Sequence, residues 1–120
     1  MDEATQLDLV RKAIISRLGG CCEWDEGAAQ RVRCDRGLCG LTPETIKEFL
    51  QDHVTAHPEV VTARREVRGQ ETRYPRDIWF RVIVPVDEFV HGLFVELVLE
   101  EKPDLDFPRV VIVNAHEQRR

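Results

Sequence analysis

Residues 77–100, DIWFRVIVPVDEFVHGLFVELVLE, decide the fold. In 77–86, Ile78, Phe80, Val82, Val84 and Val86 take every second position. In 93–100, Leu93, Val95, Leu97 and Leu99 do the same, with Phe94, Glu96, Val98 and Glu100 between them. Alternation with period two is the signature of a strand with one buried face. Working outward, 109–115 (RVVIVNA) is β-branched and apolar, and 59–68 (EVVTARREVR) alternates more loosely. Short connections suit antiparallel neighbours, with His91 and Gly92 expected in a hairpin loop. The spacing therefore predicts a four-stranded antiparallel sheet over residues 59–116.

The first half reads as helical. Over 3–18, Leu7, Val10, Ile14 and Leu18 recur at three- and four-residue steps, with Asp2 and Glu3 at the start and Gly19–Gly20 as the stop. In the second helix, 43–55, Thr42 is an N-cap and Pro43 fits the first position. Leu41 and Ile46 have the spacing of a hydrophobic staple, and His57–Pro58 ends the run. Residues 20–40 carry Gly27, Gly37, Gly40 and all four cysteines. They read as an irregular segment, with a short edge strand at 30–34. The fold class is α+β: two N-terminal helices packed on the sheet in one domain, 1–120, with helices within 1–19 and 41–57.

Composition limits the function classes. The 120 residues are 42% hydrophobic and 32% charged, which fits one globular domain. Net charge is −5, against a large basic footprint for nucleic acid. The charge is uneven: 64–81 hold six arginines against three acids, whereas 87–106 hold seven acids and only Lys102. The acidic N-terminus is unlike a signal peptide, and the uncharged run Val82–Val86 is too short to span a bilayer. A cytoplasmic protein with no membrane partner is expected, its cysteines as thiols. Phosphate-loop, nucleophile-elbow and zinc-protease motifs are absent from the sequence, and no cofactor is expected.

With helices on one face, the other face of the sheet should be partly open. It would present Arg81 and Glu96, flanked by Trp79 and Phe94, with Arg64 joining from the first strand. A guanidinium there stabilises phosphoryl charge, a carboxylate moves protons and the rings stack a base. The bland alternative is a solvated face of cross-strand ion pairs. His116, beyond the last apolar strand, is a candidate acid or base or simply an exposed histidine. His53 and His57 lie one helical turn apart, but HVTAH lacks the glutamate of a zinc-protease motif. Cys21, Cys22, Cys34 and Cys39 form CC-x11-C-x4-C, for which zinc, a disulfide and plain thiols are all open.

From Gly40 to Glu117 the chain resembles the BrnT-like and RelE-like ribonuclease toxins. The resemblance rests on a capped helix, LTPETIKEFL, then arginine-bearing strands, an apolar hairpin and a closing strand ending VVIVNAHE. It implies a metal-independent RNA-cleaving domain held inactive by a protein neutraliser. Arg64 and Arg81 would be phosphate ligands and His116 the acid or base. The chain departs from that pattern in being acidic and in carrying Ala115–His116 where an arginine is characteristic. The rival expectation is a non-enzymatic interaction module of accessory, immunity or antitoxin type. Its acidic 87–106 hairpin would meet a basic partner, and its sheet edge would allow a homodimer.

Overall fold

A computed structural model describes residues 2–65, 77–100 and 107–119. Its order is α1 (Glu3–Ile15), β1 (Cys22–Trp24), α2 (Glu26–Cys34), a 3₁₀ turn (Arg36–Leu38), α3 (Pro43–Ala56), a second 3₁₀ turn (Pro58–Val60), β2 (Thr62–Arg65), β3 (Ile78–Val86), β4 (Phe89–Leu99) and β5 (Val110–Glu117). The class is α+β. Among the described residues there are three α-helices, and five strands form one sheet in the order β1-β5-β4-β3-β2. β2, β3, β4 and β5 pair antiparallel in turn, whereas β1 pairs parallel to β5. No helix among the described residues is long and apolar enough to cross a membrane.

Each helix begins at a cap that satisfies one orphan N–H. Asp2 accepts from Thr5, Asp25 from Ala28 and Thr42 from Thr45. Their apolar stripes meet one face of the sheet. Val10, Ala13 and Ile14 of α1, Val32 of α2, Leu38, and Ile46, Leu50 and Val54 of α3 are buried with Ile78, Phe80, Val82, Val84, Leu93, Val95, Leu97, Val110 and Ile112. The alternating sets predicted for 77–86 and 93–100 thus supply the core.

The structure corrects several expectations. α1 ends at Ile15, leaving Leu18 exposed beyond it. Residues 20–40 are ordered into β1, α2 and a 3₁₀ turn, and 30–34 is helix rather than edge strand. The reason is local: Asp25 caps the helix while Ala28, Ala29 and Val32 present one buried face. β1 makes the sheet mixed instead of wholly antiparallel. It is tied to β5 where Val110 N–H donates to Cys21 O and Asp25 N–H to Ile112 O, both at 2.9 Å. Arg109 Nε also donates to Gly20 O at 2.6 Å. The strand expected over 59–68 is a 3₁₀ turn and then β2, with 66–68 outside the described residues. The β3–β4 turn is Asp87–Glu88, so His91 and Gly92 lie within β4.

Two bulges break the period-two pattern. Val84 pairs Leu93, yet Val86 pairs Phe89, so Val90, His91 and Gly92 stand against Pro85 alone. A proline without an N–H is tolerated at such a break. On β5, Glu96 pairs Asn114 while Leu97 pairs Ile112, which leaves Val113 as the extra residue. Ile112 and Ala115 both face the core as a result. Strict alternation from Val110 would send His116 inward; the bulge turns it outward.

Candidate functional site

The sheet face away from the helices is arranged in rows across the strands. Arg64 stands opposite Trp79, and one step further along β3–β4 Val98 stands opposite Val111. Trp79, Val98 and Val113 form a second small buried cluster, with Val111 packed against it. The next row runs Thr62–Arg81–Glu96–Asn114. The third runs Ile83–Phe94–His116.

This face is closed at one end and open at the other, and the closed end takes in Trp79 and Glu96, which were expected to be presented. Trp79 is 3% exposed and Glu96 5%. Trp79 therefore offers no free ring for stacking, and Glu96 is not a solvated carboxylate. The third row is accessible: Ile83 is 37% exposed, Phe94 half-buried and His116 exposed. The His116 ring lies on Phe94 with centroids 4.8 Å apart and planes 21° apart. Its Nδ1 is 2.9 Å from Glu117 O. Two hollows flank the row. One, of about 540 Å³, is lined by Asp35, Gly37, His116, Glu117, Gln118 and Arg119. The other, of about 390 Å³, lies at the hairpin bulge between Ile83, Pro85, Asp87, Val90 and His91. Val90 is 94% exposed there.

The residues singled out from the sequence thus share one face, in successive rows. Arg81 and Glu96 are direct cross-strand partners, and Phe94 and His116 are another such pair. Strand spacing and rise put the backbones of Arg81 and His116 about 12 Å apart, and those of Arg64 and His116 about 20 Å apart. The sequence reading passed over Ile83, Pro85 and Val90. Ile83 was legible, since alternation already set it on the face of Arg81; Val90 was not, because its exposure depends on the bulge.

The cysteines do not assemble. Cys21 and Cys22 are buried, Cys34 and Cys39 are exposed, and all four are free thiols. Burial, opposed by the charge of Lys47, pushes the Cys22 thiol up to about 12. Among the described residues no group of three or more histidines, cysteines or carboxylates could hold a metal ion. His53 and His57 lie 5.4 Å apart between ring centroids at the end of α3, with His57 Nδ1 3.5 Å from Glu59. Partial burial, then the neighbouring His57, lowers the His53 pKa, against an opposing pull from Glu59.

Fold and face together define a helix-on-mixed-sheet α+β domain with a two-zone outer surface. No protein-family model, no curated protein and no solved structure matches the chain.

Proposed function

We propose that this domain is a non-enzymatic protein-interaction module. The observation that carries this reading is the burial of Glu96, the one carboxylate among the candidates, together with the stacking of His116 on Phe94. A ribonuclease centre needs an acid or base and a phosphate ligand within hydrogen-bond reach of the same reacting atoms. Here Glu96 is buried and Arg81 half-buried beside the closed zone, and His116 is a strand and two residues further on, stacked on Phe94. The accessible Ile83–Phe94–His116 row is apolar and aromatic, which suits a binding surface better than a catalytic one.

The ribonuclease reading implied by the resemblance draws on one feature, the common face of Arg81 and His116. A single experiment separates the two. The purified protein is incubated with total RNA, and its expression is induced in growing cells. Intact RNA and undisturbed growth are expected. Cleavage that disappears in Arg81→Ala and His116→Ala would overturn the module.

A further inference from the structure

We infer that the outward side of β3 docks an extended segment of another protein whose facing side chains run carboxylate, apolar, apolar. The carboxylate meets Arg81, the next side chain meets the Ile83–Phe94 shelf, and the third enters the hollow at Pro85. This rests on the interaction-module reading and gives it a surface and a partner chemistry.

Register comes first. Ile78, Phe80, Val82 and Val84 lie in the core and Val86 packs against it, so Arg81, Ile83 and Pro85 face outward in succession. Arg81 is half-buried, whereas Ile83 and Pro85 are exposed. Successive outward side chains on a strand stand about 7 Å apart. Ile83 pairs with Phe94 and Phe94 with His116, which widens the middle step into an apolar, aromatic shelf. The third step opens into the hollow of about 390 Å³ that Val90 and His91 also line. A contiguous apolar patch of this kind marks a contact site. An extended chain laid along β3 repeats with the same period, so its three facing side chains all meet the surface.

Arg81 sets the charge of the occupant. Among the described residues no carboxylate forms an ion pair with it. Its cross-strand neighbour Glu96 is buried and has interactions of its own. A half-buried guanidinium in that position favours an incoming carboxylate, which it can hold with two parallel hydrogen bonds. Asp87 lines the hollow at the other end and repels a second carboxylate there, which fixes the end of the segment that is acidic. A second copy of the same face offers Arg81 no accessible acid, since Glu96 is covered. A nucleic-acid strand carries a phosphate at every step, and so sets charge against the apolar steps and against Asp87.

The probe is a blocked, fluorescent peptide, Ser-Leu-Ser-Leu-Ser-Glu-Ser, with controls that carry Gln or Lys for Glu, or Ser for both Leu. Anisotropy gives affinity, and backbone amide NMR of the whole chain locates the contact. The Glu peptide should move the amides of Arg81, Ile83, Val90 and Phe94. It should bind about tenfold more tightly than the Gln peptide, with the Lys and all-Ser controls weaker still. In Arg81→Gln the Glu and Gln peptides should bind alike. In Arg81→Glu the preference should pass to the Lys peptide, which a merely structural role for Arg81 would not produce. Ile83→Ser should weaken the Glu peptide about tenfold, the scale of an apolar anchor. Val90→Ser, at a side chain 94% exposed, tests the hollow should Ile83→Ser fail to fold. Absence of binding, equal binding of the Lys peptide by the native chain, or shifts on α1 or α3 instead would each overturn the assignment. So would a dimer that Ile83→Ser dissociates, or a single-stranded RNA oligonucleotide that displaces the peptide from these amides. RNA cleavage in the assay described above would instead overturn the broader reading.

Discussion

At the scale of single residues, Gly92 holds the outer face in shape. Its φ of +84° is one that side-chain-bearing residues avoid, and a Cβ there would stand 2.8 Å from Val84 O and 3.1 Å from the Ile83 side chain. Gly92→Ala should therefore cost about 1–3 kcal/mol, combining left-handed backbone strain with the clash, and should lower the urea midpoint. Gly19→Ala is the control: nothing lies within 4 Å of its added Cβ, so stability should hold or rise slightly. The thiols give a second residue-level prediction. A thiol-specific reagent at mildly alkaline pH should modify exposed Cys34 and Cys39 and spare Cys21 and Cys22 until the chain unfolds. Because Cys22 is raised from 9.0 to about 12, its contribution to stability is complete below pH 9 and falls as pH rises toward 12. His53 behaves oppositely. Its pKa is lowered from 6.5, so its contribution is present above 6.5 and is lost as pH falls through the folded value. In His53→Gln, urea midpoints measured on either side of that value should show a smaller loss on acidification.

At the scale of elements, α2 shows what the sequence made legible and what it concealed. α3 could be read because its cap, proline and apolar stripe agree over fourteen residues. α2 has nine residues, carries Gly27 near its start and ends in arginines, so its apolar signal is only Ala28, Ala29 and Val32. Asp25 was the missed clue: its carboxylate accepts from Ala28 N–H at 3.0 Å. Asp25→Ala should cost about 1 kcal/mol, the usual loss of an N-cap, and would show in equilibrium unfolding. β1 was concealed for another reason. Three residues, CEW, carry no periodicity, and their pairing to β5 joins Cys22 to Val110 across most of the chain. The strands of 77–100 were legible because burial of one face enforces alternation. The face on which His116 lies was not, since the β5 bulge at Val113 resets it.

At the scale of the whole molecule, the sheet buries most of one face and part of the other among the described residues, and the two zones of the outer face answer to different requirements. The zone around Trp79, Val98 and Val113 is buried, so its residues serve stability. The Ile83–Phe94–His116 row is only partly covered, with Ile83 37% exposed, Phe94 half-buried and His116 exposed. Truncation should tell them apart. Trp79→Ala removes a large buried ring and should cost about 3–5 kcal/mol through lost transfer energy and the cavity left behind. Phe94→Ala removes a half-exposed ring and one stacking contact, for about 1 kcal/mol. Urea denaturation of both variants measures this difference directly. Comparable losses would mean that the row helps hold the domain together, and its exposure would then need no partner to explain it. A small loss at Phe94 beside a large one at Trp79 leaves an apolar surface that folding does not require, and water makes such a surface costly to keep bare.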